Sequence, residues 1–396
     1  MSPRIVYWFR NDLRLNDNEA FLTATLTAKE VIPVYVFDPR LFQNTKLGFR
    51  RTSARRAQFL IESVTDLRNR LRAKGADLLV RIGDPEKIVA DLADYYQATH
   101  IYTSKEIAPE ETHIESTLSK SLKISNIDIK LFWMSTLSRV TDLPFSVSKL
   151  PVSFDQFKTE VGQIDVPLPF PEPDKITLPQ EYEAGSIATL PTLGIDPQEL
   201  IHDDVQADEL PHGGETAAIA SLKSYIESNQ PQRNTAVDAL TDSLLTSWLS
   251  LGNLSPRTLY HTIQKECKAG ETKEALLKSL LQRDYFNWTL LRFGPRMFKS
   301  SGIQHIFQQA WLNNKEEFEN WIKGKTSDSE VNEIMKKIGA TGYITSLERQ
   351  KAAIYLSQHK NINWTWGAMY FESFLIDYNV AVNWGKWNNV AGVGAN

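Results

Sequence analysis

The sequence predicts a doubly wound α/β domain with a parallel sheet at residues 1–135 and an all-α domain at residues 213–396. Three observations support this. Short apolar strand patterns alternate with helical patterns in the first part, helical periodicity alone continues in the last part, and an acidic, proline-rich stretch separates them. With 396 residues, 42% of them hydrophobic and 23% charged, the chain is globular and long enough for two hydrophobic cores.

Five strands and at least two helices account for the first domain. The helix predicted at 51–74 has apolar residues along one face and ends at Gly75, a residue favoured just after a helix. A second helix at 85–95 begins with Pro85, which suits a first turn. Because strand and helix alternate, we expect βαβ units with helices on both faces of the sheet. The predicted strands are residues 5–9, 31–37, 77–82, 100–103 and 127–132.

Residues 136–212 are predicted to form an irregular connector. Ten of the 18 prolines lie between Pro144 and Pro211, and this density prevents long regular elements. The connector contains 4 Lys or Arg and 14 Asp or Glu, whereas the whole chain has a net charge of only −4. The two flanking domains are therefore mildly basic, which weakens the electrostatic argument against a nucleic-acid ligand without favouring one.

Helical periodicity dominates from residue 213 onwards. Pro256 follows Ser255, as expected for an N-cap residue and a first-turn proline. The predicted helices are residues 215–228, 254–268, 272–293, 315–322, 330–338, 346–358 and 366–380.

Several classes of function are disfavoured. The single cysteine, Cys267, excludes an internal disulfide, and the seven histidines include no HxxxH pair, so we expect no metal site. The N-terminus lacks the pattern of a signal peptide, and composition argues against membrane spans, so we expect a cytoplasmic protein. Nucleophile elbow, Walker loop and GxGxxG motifs are absent. The candidates for a functional site that remain are Arg349, Asp377 and residues 383–387 (NWGKW). Eight of the ten tryptophans also lie at or after residue 248.

A set of ordered motifs resembles the photolyase and cryptochrome family over nearly the whole chain. Among its members, the DASH cryptochromes are most similar, through residues 56–64 (RAQFLIESV), 142–145 (DLPF), 213–218 (GGETAA) and 383–387 (NWGKW). The motifs shared with the wider family are residues 8–20 (WFRNDLRLNDNEA), 34–39 (VYVFDP), 248–257 (WLSLGNLSPR), 283–286 (RDYF), 364–367 (WTWG), 375–377 (LID) and 390–394 (VAGVG).

The resemblance implies an antenna-type α/β domain and a helical domain that binds FAD. Ser243, Leu244, Leu245 and Thr246 match the phosphate-binding segment, where hydroxyls and backbone N–H groups at a helix start suit a pyrophosphate. The remaining matches are Arg283 in a cofactor-contacting motif, Arg349 and Asp377 beside the isoalloxazine, Asn379 in place of a hydrogen-bonding Asp, and Asn383 facing flavin N5.

The resemblance also gives some tryptophans a redox role. Trp387, Trp364 and Trp311 match the proximal, middle and distal electron-transfer positions of the family. An indole ring can lose an electron and be refilled by its neighbour, so the three can supply electrons to a photoexcited flavin. The other C-terminal tryptophans are assigned to packing, with Trp384 as a candidate pocket wall: Trp248, Trp288, Trp321, Trp366 and Trp384.

The sequence departs from the family at the substrate site. Photolyases hold a pyrimidine dimer with a Glu and a Trp where this chain has Ser279 and Gln282, so a carboxylate and a stacking ring are missing. The folate-contacting pair of the antenna site reads Ala108-Pro109, which leaves a second, folate-type chromophore unsupported. Residues 326–333 also differ from the family pattern, and Ser346-Leu347 stands where the family has Asn-Arg. With a C-terminus at Asn396, we expect the chain to be short for the family.

Three functional hypotheses follow. The first is a DASH-cryptochrome-like FAD flavoprotein, a blue-light photoreceptor or electron-transfer protein with a signalling partner that the sequence does not identify. The second is a light-dependent photolyase, a carbon–carbon lyase acting on cyclobutane dimers, with weak DNA binding that favours single strands. The third is a degenerate member that no longer holds FAD and acts through protein contacts. The colour of the pure protein separates the third hypothesis from the other two.

Overall fold

The computed structural model describes residues 3–123, 125–202, 210–228 and 238–394. Its first domain contains a five-stranded parallel sheet in the order β3-β2-β1-β4-β5. This sheet confirms the predicted doubly wound α/β class, and its strands lie where the sequence predicts them. They are β1 (Arg4–Phe9), β2 (Glu30–Phe37), β3 (Leu79–Ile82), β4 (His100–Ser104) and β5 (Asp128–Phe132).

Both faces of the sheet are buried. Along β1, Tyr7 and Phe9 pack into one apolar cluster, whereas Val6 and Trp8 pack into another. Successive side chains of a strand point to opposite faces, so helices must cover both sides. The sequence predicts the second and third of these helices and misses the other two, whose many Thr, Ser and Glu residues weaken the apolar periodicity. The helices are α1 (Glu19–Thr27), α2 (Ala54–Ala73), α3 (Pro85–Tyr95) and α4 (Pro109–Leu122).

The connector is mostly irregular, as its prolines predict. Its described residues include one α-helix, α5 (Phe154–Val161), among short 3₁₀ turns and extended chain. Its residues 203–209 lie outside the described residues. The backbone N–H of Val31 donates to the carbonyl of Thr177 at 2.9 Å, so the connector lies beside the start of β2, which β3 does not reach.

The second domain is helical, and its helices surround one large apolar cluster and part of a second. Within the described residues, no helix has both the length and the hydropathy needed to cross a membrane. The helices are α6 (Glu215–Glu227), α7 (Ala239–Asp242), α8 (Thr246–Ser250), α9 (Pro256–Glu266), α10 (Glu271–Phe293), α11 (Lys315–Ile322), α12 (Ser329–Thr341), α13 (Ser346–Ile354), α14 (Trp364–Phe374) and α15 (Val380–Val390).

The prediction of a single helix at residues 366–380 is wrong. Helix α14 ends at Phe374, and α15 begins only at Val380. The side chain of Asn379 accepts a hydrogen bond from the N–H of Val382 at 3.1 Å, so it caps a new helix that begins after the old one has ended. The turn at residues 375–379 therefore separates the two helices and carries Asp377.

The segment between β1 and α1 joins the two domains through buried polar groups. Asp17 is fully buried and forms an ion pair with Arg257, whose Nη2 lies 2.8 Å from Asp17 Oδ1. Ser255 also donates to Asp17. Glu215 accepts hydrogen bonds from the N–H groups of Leu15 (2.7 Å) and residue 16 (3.0 Å). This segment therefore fixes the start of α6 and of α9 against the sheet.

We predict that Asp17→Ala destabilises the protein by about 3–5 kcal/mol, because it leaves the buried Arg257 guanidinium without its carboxylate. Equilibrium urea unfolding measures the change. Glu319→Ala is the control, since it breaks an ion pair with Lys323 that is more than half exposed and should change stability little. A loss for Asp17→Ala no larger than that of the control would contradict the assigned role.

Candidate functional site

A cavity in the helical domain collects most of the candidate residues. It is bounded by α7, α8, α10, α13, α15 and the turn at residues 375–379. Seven of the residues singled out from the sequence line it: Thr246, Arg283, Arg349, Asp377, Asn379, Asn383 and Trp387.

The central feature of the cavity is the ion pair between Arg349 and Asp377. Arg349 Nη2 lies 3.0 Å from Asp377 Oδ1 and 2.9 Å from Oδ2, and the Asp377 side chain is 1% exposed. The hydroxyl of Thr246 donates to the same carboxylate at 2.7 Å. A buried carboxylate is costly unless it is paired and hydrogen-bonded, and these contacts satisfy that requirement. They also join α8, α13 and the turn at residues 375–379.

Helix α15 presents two of the candidate side chains to the cavity. Asn383 donates from Nδ2 to the carbonyl of Ala368 in α14 at 3.0 Å, which leaves its amide oxygen available to a ligand. Trp387 follows one turn later and is 2% exposed. The Asn379 side chain lines the cavity but also caps α15. The break before α15 thus decides which residues of the 379–387 segment face inward.

The candidate phosphate-binding segment contributes one side chain to the cavity. Thr246 lines it, whereas Ser243 Oγ donates to the carbonyl of Leu240 at 2.7 Å and Leu245 is buried in a neighbouring apolar cluster. Leu244 has a φ of 66°, a left-handed conformation that non-glycine residues rarely adopt. Residues 243–246 therefore form a tight turn that leads into α8 and aims Thr246 at Asp377.

Arg283 supplies a buried positive charge to the cavity wall. Its Nη1 donates to the carbonyl of Ser135, and the carboxylate of the next residue, Asp284, is 3.8 Å away. Burial lowers the pKa of the Arg283 guanidinium, and burial raises the pKa of Asp284 to about 7 although Arg283 opposes this. Since Asp284 is only partly ionised near neutral pH, the charge of Arg283 is incompletely balanced and suits an anionic ligand.

Lys386 and Asp238 form a second ion pair in the cavity that sequence reasoning missed. Burial opposes ionisation of Asp238, but Lys386 and Thr241 outweigh it and lower the pKa to about 2. Lys386 is three residues after Asn383, so a correct helix prediction for α15 would have placed both on one face. No comparable signal exists for Asp238, which caps the four-residue helix α7.

Of the three tryptophans predicted to transfer electrons, Trp387 lines the cavity, Trp364 begins α14 and Trp311 precedes α11. A Cβ atom on Gly367, one turn after Trp364 in α14, would lie 2.3 Å from Trp387 Cη2, so the Trp387 ring rests directly on this helix. Trp364 is fully buried, and Trp311 is half-buried. The indole N–H groups of Trp364 and Trp311 both donate to the carbonyl of Ser300 at 3.0 Å, so these two rings are neighbours.

Comparison with known proteins identifies the family. A family model described as DNA photolyase matches residues 5–174, and one described as FAD binding domain of DNA photolyase matches residues 276–396. A Cryptochrome DASH of Gloeobacter violaceus is 36% identical over 99% of this chain and 80% of its own length. The chain belongs to the photolyase and cryptochrome family. A Cryptochrome DASH of Danio rerio is 35% identical over 99% of this chain and 78% of its own length.

Solved structures agree with the family assignment. A cryptochrome of Synechocystis sp. superposes with a TM-score of 0.90 at 33% identity, covering 100% of this chain and 83% of that one. A class III photolyase of Agrobacterium tumefaciens has the same fold, with a TM-score of 0.82 at 22% identity over 100% of this chain and 81% of that one. These similarities place the chain among the DASH cryptochromes, with FAD as its cofactor.

The cavity residues fit this cofactor. The partly unbalanced charge of Arg283 suits a diphosphate, which needs positive charge. The paired Arg349 and Asp377 offer both donor and acceptor groups to the polar edge of a heterocycle. In the described part of the chain, no three His, Cys, Asp or Glu side chains gather as a metal site.

Some of the positions at which the sequence departs from the family line the cavity, and others do not. Ser279 and Gln282 line the cavity on α10, so the missing carboxylate and aromatic ring would have faced it. Ser346 also lines it, and its N–H (2.7 Å) and hydroxyl (2.9 Å) donate to Asp242. Ala108, by contrast, is buried in the apolar cluster of the helical domain.

We predict that Asp284→Asn stabilises the protein more at pH 8 than at pH 5, by on the order of 2 kcal/mol relative to wild type. The pKa of Asp284 is raised to about 7 in the folded state, so the wild type loses stability as pH rises from the ordinary Asp pKa towards 7. The amide cannot ionise and keeps the acceptor for the Leu137 N–H.

Urea unfolding of both proteins at the two pH values measures this difference. Asp155→Asn, at an exposed position of α5, is the control and should show no such change with pH. An effect of Asp284→Asn that is equal at pH 5 and pH 8, or larger at pH 5, would contradict the assignment.

Proposed function

We propose that this DASH-type protein uses blue light to reduce its bound FAD through a chain of tryptophans, as a photoreceptor or electron-transfer protein. The observation that carries the proposal is the placement of three indoles. Trp387 lines the cavity, Trp364 lies in the adjoining helix, and Trp311 is half-buried and shares a carbonyl acceptor with Trp364. Bound FAD supplies absorption of blue light and a one-electron acceptor.

The three indoles can act in sequence. Trp387 is the first donor because it lines the cavity. Trp364 then returns an electron to Trp387, and Trp311 returns one to Trp364. The carbonyl of Ser300 accepts hydrogen bonds from Trp364 and Trp311, and its partial negative charge stabilises a positive charge on either ring. Because Trp311 is partly exposed, a reductant in solution can restore it.

The remaining cavity residues bind and orient the cofactor. Arg283 would hold the phosphates, while the hydroxyl of Thr246 stays bonded to Asp377 and the Arg349–Asp377 pair would hydrogen-bond the polar edge of the ring. Asn383 would accept a hydrogen bond through its amide oxygen. A carboxamide does not ionise near neutral pH, so this position of the cavity provides no acid to protonate the cofactor.

Repair of cyclobutane dimers is a weaker candidate. Ser279 and Gln282 line the cavity where photolyases carry a carboxylate and a stacking ring, and neither side chain can replace these contacts. The mildly basic domains permit weak binding of DNA, with single strands favoured because their bases are already unpaired. Any signalling partner remains to be identified, and the lone Cys267 supports a reducing, cytoplasmic location.

We predict that Trp387→Phe slows photoreduction of the bound FAD by at least about tenfold without lowering FAD content. Phenylalanine retains an aromatic ring against Phe371 but is far harder to oxidise than indole. Absorbance spectra under blue light with a thiol donor give the rate. Trp288→Phe is the control, since this buried indole stacks on Trp133 away from the cavity. An unchanged rate in Trp387→Phe would refute the proposed chain.

We also predict that the reduced, illuminated protein does not repair a thymine dimer in a single-stranded or duplex oligonucleotide. The substrate contacts at positions 279 and 282 are missing, and any binding that remains should weaken as salt is raised. Chromatography of the oligonucleotide measures repair, and a dark sample gives the background. Light-dependent repair above that background would establish photolyase activity instead.

A further inference from the structure

The described wall of the cavity contains two side chains that a light-excited flavin can oxidise, Trp387 and Tyr378. The other aromatic residues there, Phe286 and Phe371, are much harder to oxidise. Tyr378 lies in the turn that separates α14 from α15 and remains partly accessible. In the proposed chain the first electron comes from Trp387, so a feature of the structure has to keep Tyr378 from giving it.

Arg56 of the α/β domain places a positive charge against the Tyr378 ring. It lies in the first turn of α2, and its guanidinium carbon is 4.6 Å from the centroid of that ring. Nη1 of Arg56 also donates to the carbonyl of Glu372 at 2.6 Å, which fixes the guanidinium near the end of α14. This contact connects the first domain to the wall of the cofactor cavity.

The charge of Arg56 is incompletely balanced at this position. The buried carboxylate of Glu372 is already in an ion pair with Arg51, whose Nε lies 2.9 Å from Glu372 Oε1. Arg51 also reaches Glu110, but the side chain of Glu110 is 63% exposed, so solvent screens its charge. Since Arg56, Arg51 and Glu372 all act electrostatically on Tyr378, the ring experiences two cations and one buried carboxylate.

We propose that Arg56 is a positioning residue that acts through Tyr378: its charge prevents oxidation of this ring and leaves Trp387 as the electron donor. The inference rests on the proposed photoreduction. A cation lies favourably over a neutral aromatic ring, but it repels the positive charge that forms when the ring loses an electron.

Trp387 does not experience the same repulsion. Within the described residues, the Lys and Arg side chains that lie over aromatic rings include none over Trp387. The ammonium group of Lys386, the preceding residue, is bonded to Asp238. Arg56 therefore makes oxidation harder for one of the two rings only.

Ionisation of the Tyr378 hydroxyl does not offset this effect. Burial raises the pKa of the hydroxyl well above its ordinary value, and the charge of Glu372 adds to the rise although Arg56 and Arg51 oppose it. The tyrosinate, which is the form of the side chain most easily oxidised, therefore does not form near neutral pH.

Without the charge of Arg56, Tyr378 would compete with Trp387. Light-excited FAD would take one electron from Tyr378, and the hydroxyl would release its proton to water in the cavity. In the proposed chain Trp364 donates to Trp387 and not to Tyr378, so the oxidised tyrosine would take its electron and its proton back. The absorbed light would then give no net reduction.

The test compares holoproteins that keep or lose the charge at position 56. Arg56→Met removes the charge and keeps a long stem, and we expect it to slow photoreduction by at least about threefold. A tyrosyl radical should also appear in electron paramagnetic resonance spectra of samples frozen under illumination. Arg56→Lys keeps the charge and should show neither change. Adding Tyr378→Phe to Arg56→Met should restore the rate and remove the radical, which a purely structural role of Arg56 would not produce.

Arg55→Met is the matched control. Arg55 precedes Arg56 in α2, and its guanidinium donates to the carbonyls of Ala340 (3.2 Å) and Leu200 (2.6 Å) rather than facing the cavity. The control removes a guanidinium and its hydrogen bonds from the same helix, and should leave the rate and the radical signal at wild-type levels. FAD content and thermal midpoint are measured for every variant so that loss of cofactor is not mistaken for loss of transfer.

A second measurement leaves Arg56 in place and stays decisive if Arg56→Met does not fold. In Trp387→Phe, Tyr378 is the readily oxidised ring that remains in the described cavity wall. With Arg56 intact, we expect no tyrosyl radical in this variant under illumination. A radical that appears in Trp387→Phe and disappears when Tyr378→Phe is added would overturn the proposal.

The outcomes separate the two proposals. A wild-type protein that holds FAD but is not photoreduced overturns the proposed function, and the role of Arg56 with it. A photoreduced wild type in which Arg56→Met forms no tyrosyl radical, or is slowed equally with and without Tyr378→Phe, overturns the role of Arg56 alone.

Discussion

The buried carboxylate of Asp377 is the constraint on which the functional part of the molecule depends. It receives two contacts from Arg349 and one from Thr246, and so joins α13, α8 and the turn that precedes α15. Burial of this charge is tolerable only while all these donors are in place. The carboxylate therefore requires the break between α14 and α15, and the break directs Asn383 and Trp387 into the cavity.

The connector and the cavity differ in the balance of their positive and negative side chains. The connector has 14 Asp or Glu against 4 Lys or Arg, which by itself accounts for the negative net charge of the chain, whereas the cavity is lined by three cations and two carboxylates. Of these cations, Arg283 is the least well balanced, since its neighbour Asp284 has its pKa raised to about 7 by burial. The cavity thus offers an incompletely balanced positive charge inside a protein whose net charge is negative.

Aromatic packing and the proposed electron transfer place the same demand on the helical core. Trp364 and Trp321 are fully buried and must pair their indole N–H groups, which they do with the carbonyls of Ser300 and Ala352. These hydrogen bonds pair the buried indole N–H groups in the folded state and also stabilise positive charge on the rings. Residues needed for a stable core are therefore suited to a redox role, and packing alone does not distinguish the two functions.

The sequence by itself determined the fold class, all five strands, most helices and the family, because these depend on local periodicity and on ordered motifs. It also identified seven residues that line the cavity, including Arg349, Asp377 and Trp387. Only the tertiary structure decided that α14 ends before Asp377, that Lys386 and Asp238 pair within the cavity, and that Trp321 contacts Trp387. Asp238 and Trp321 are 148 and 66 residues from their respective partners, Lys386 and Trp387, in the chain. Such contacts arise from helix packing, which leaves no periodic signal in the sequence.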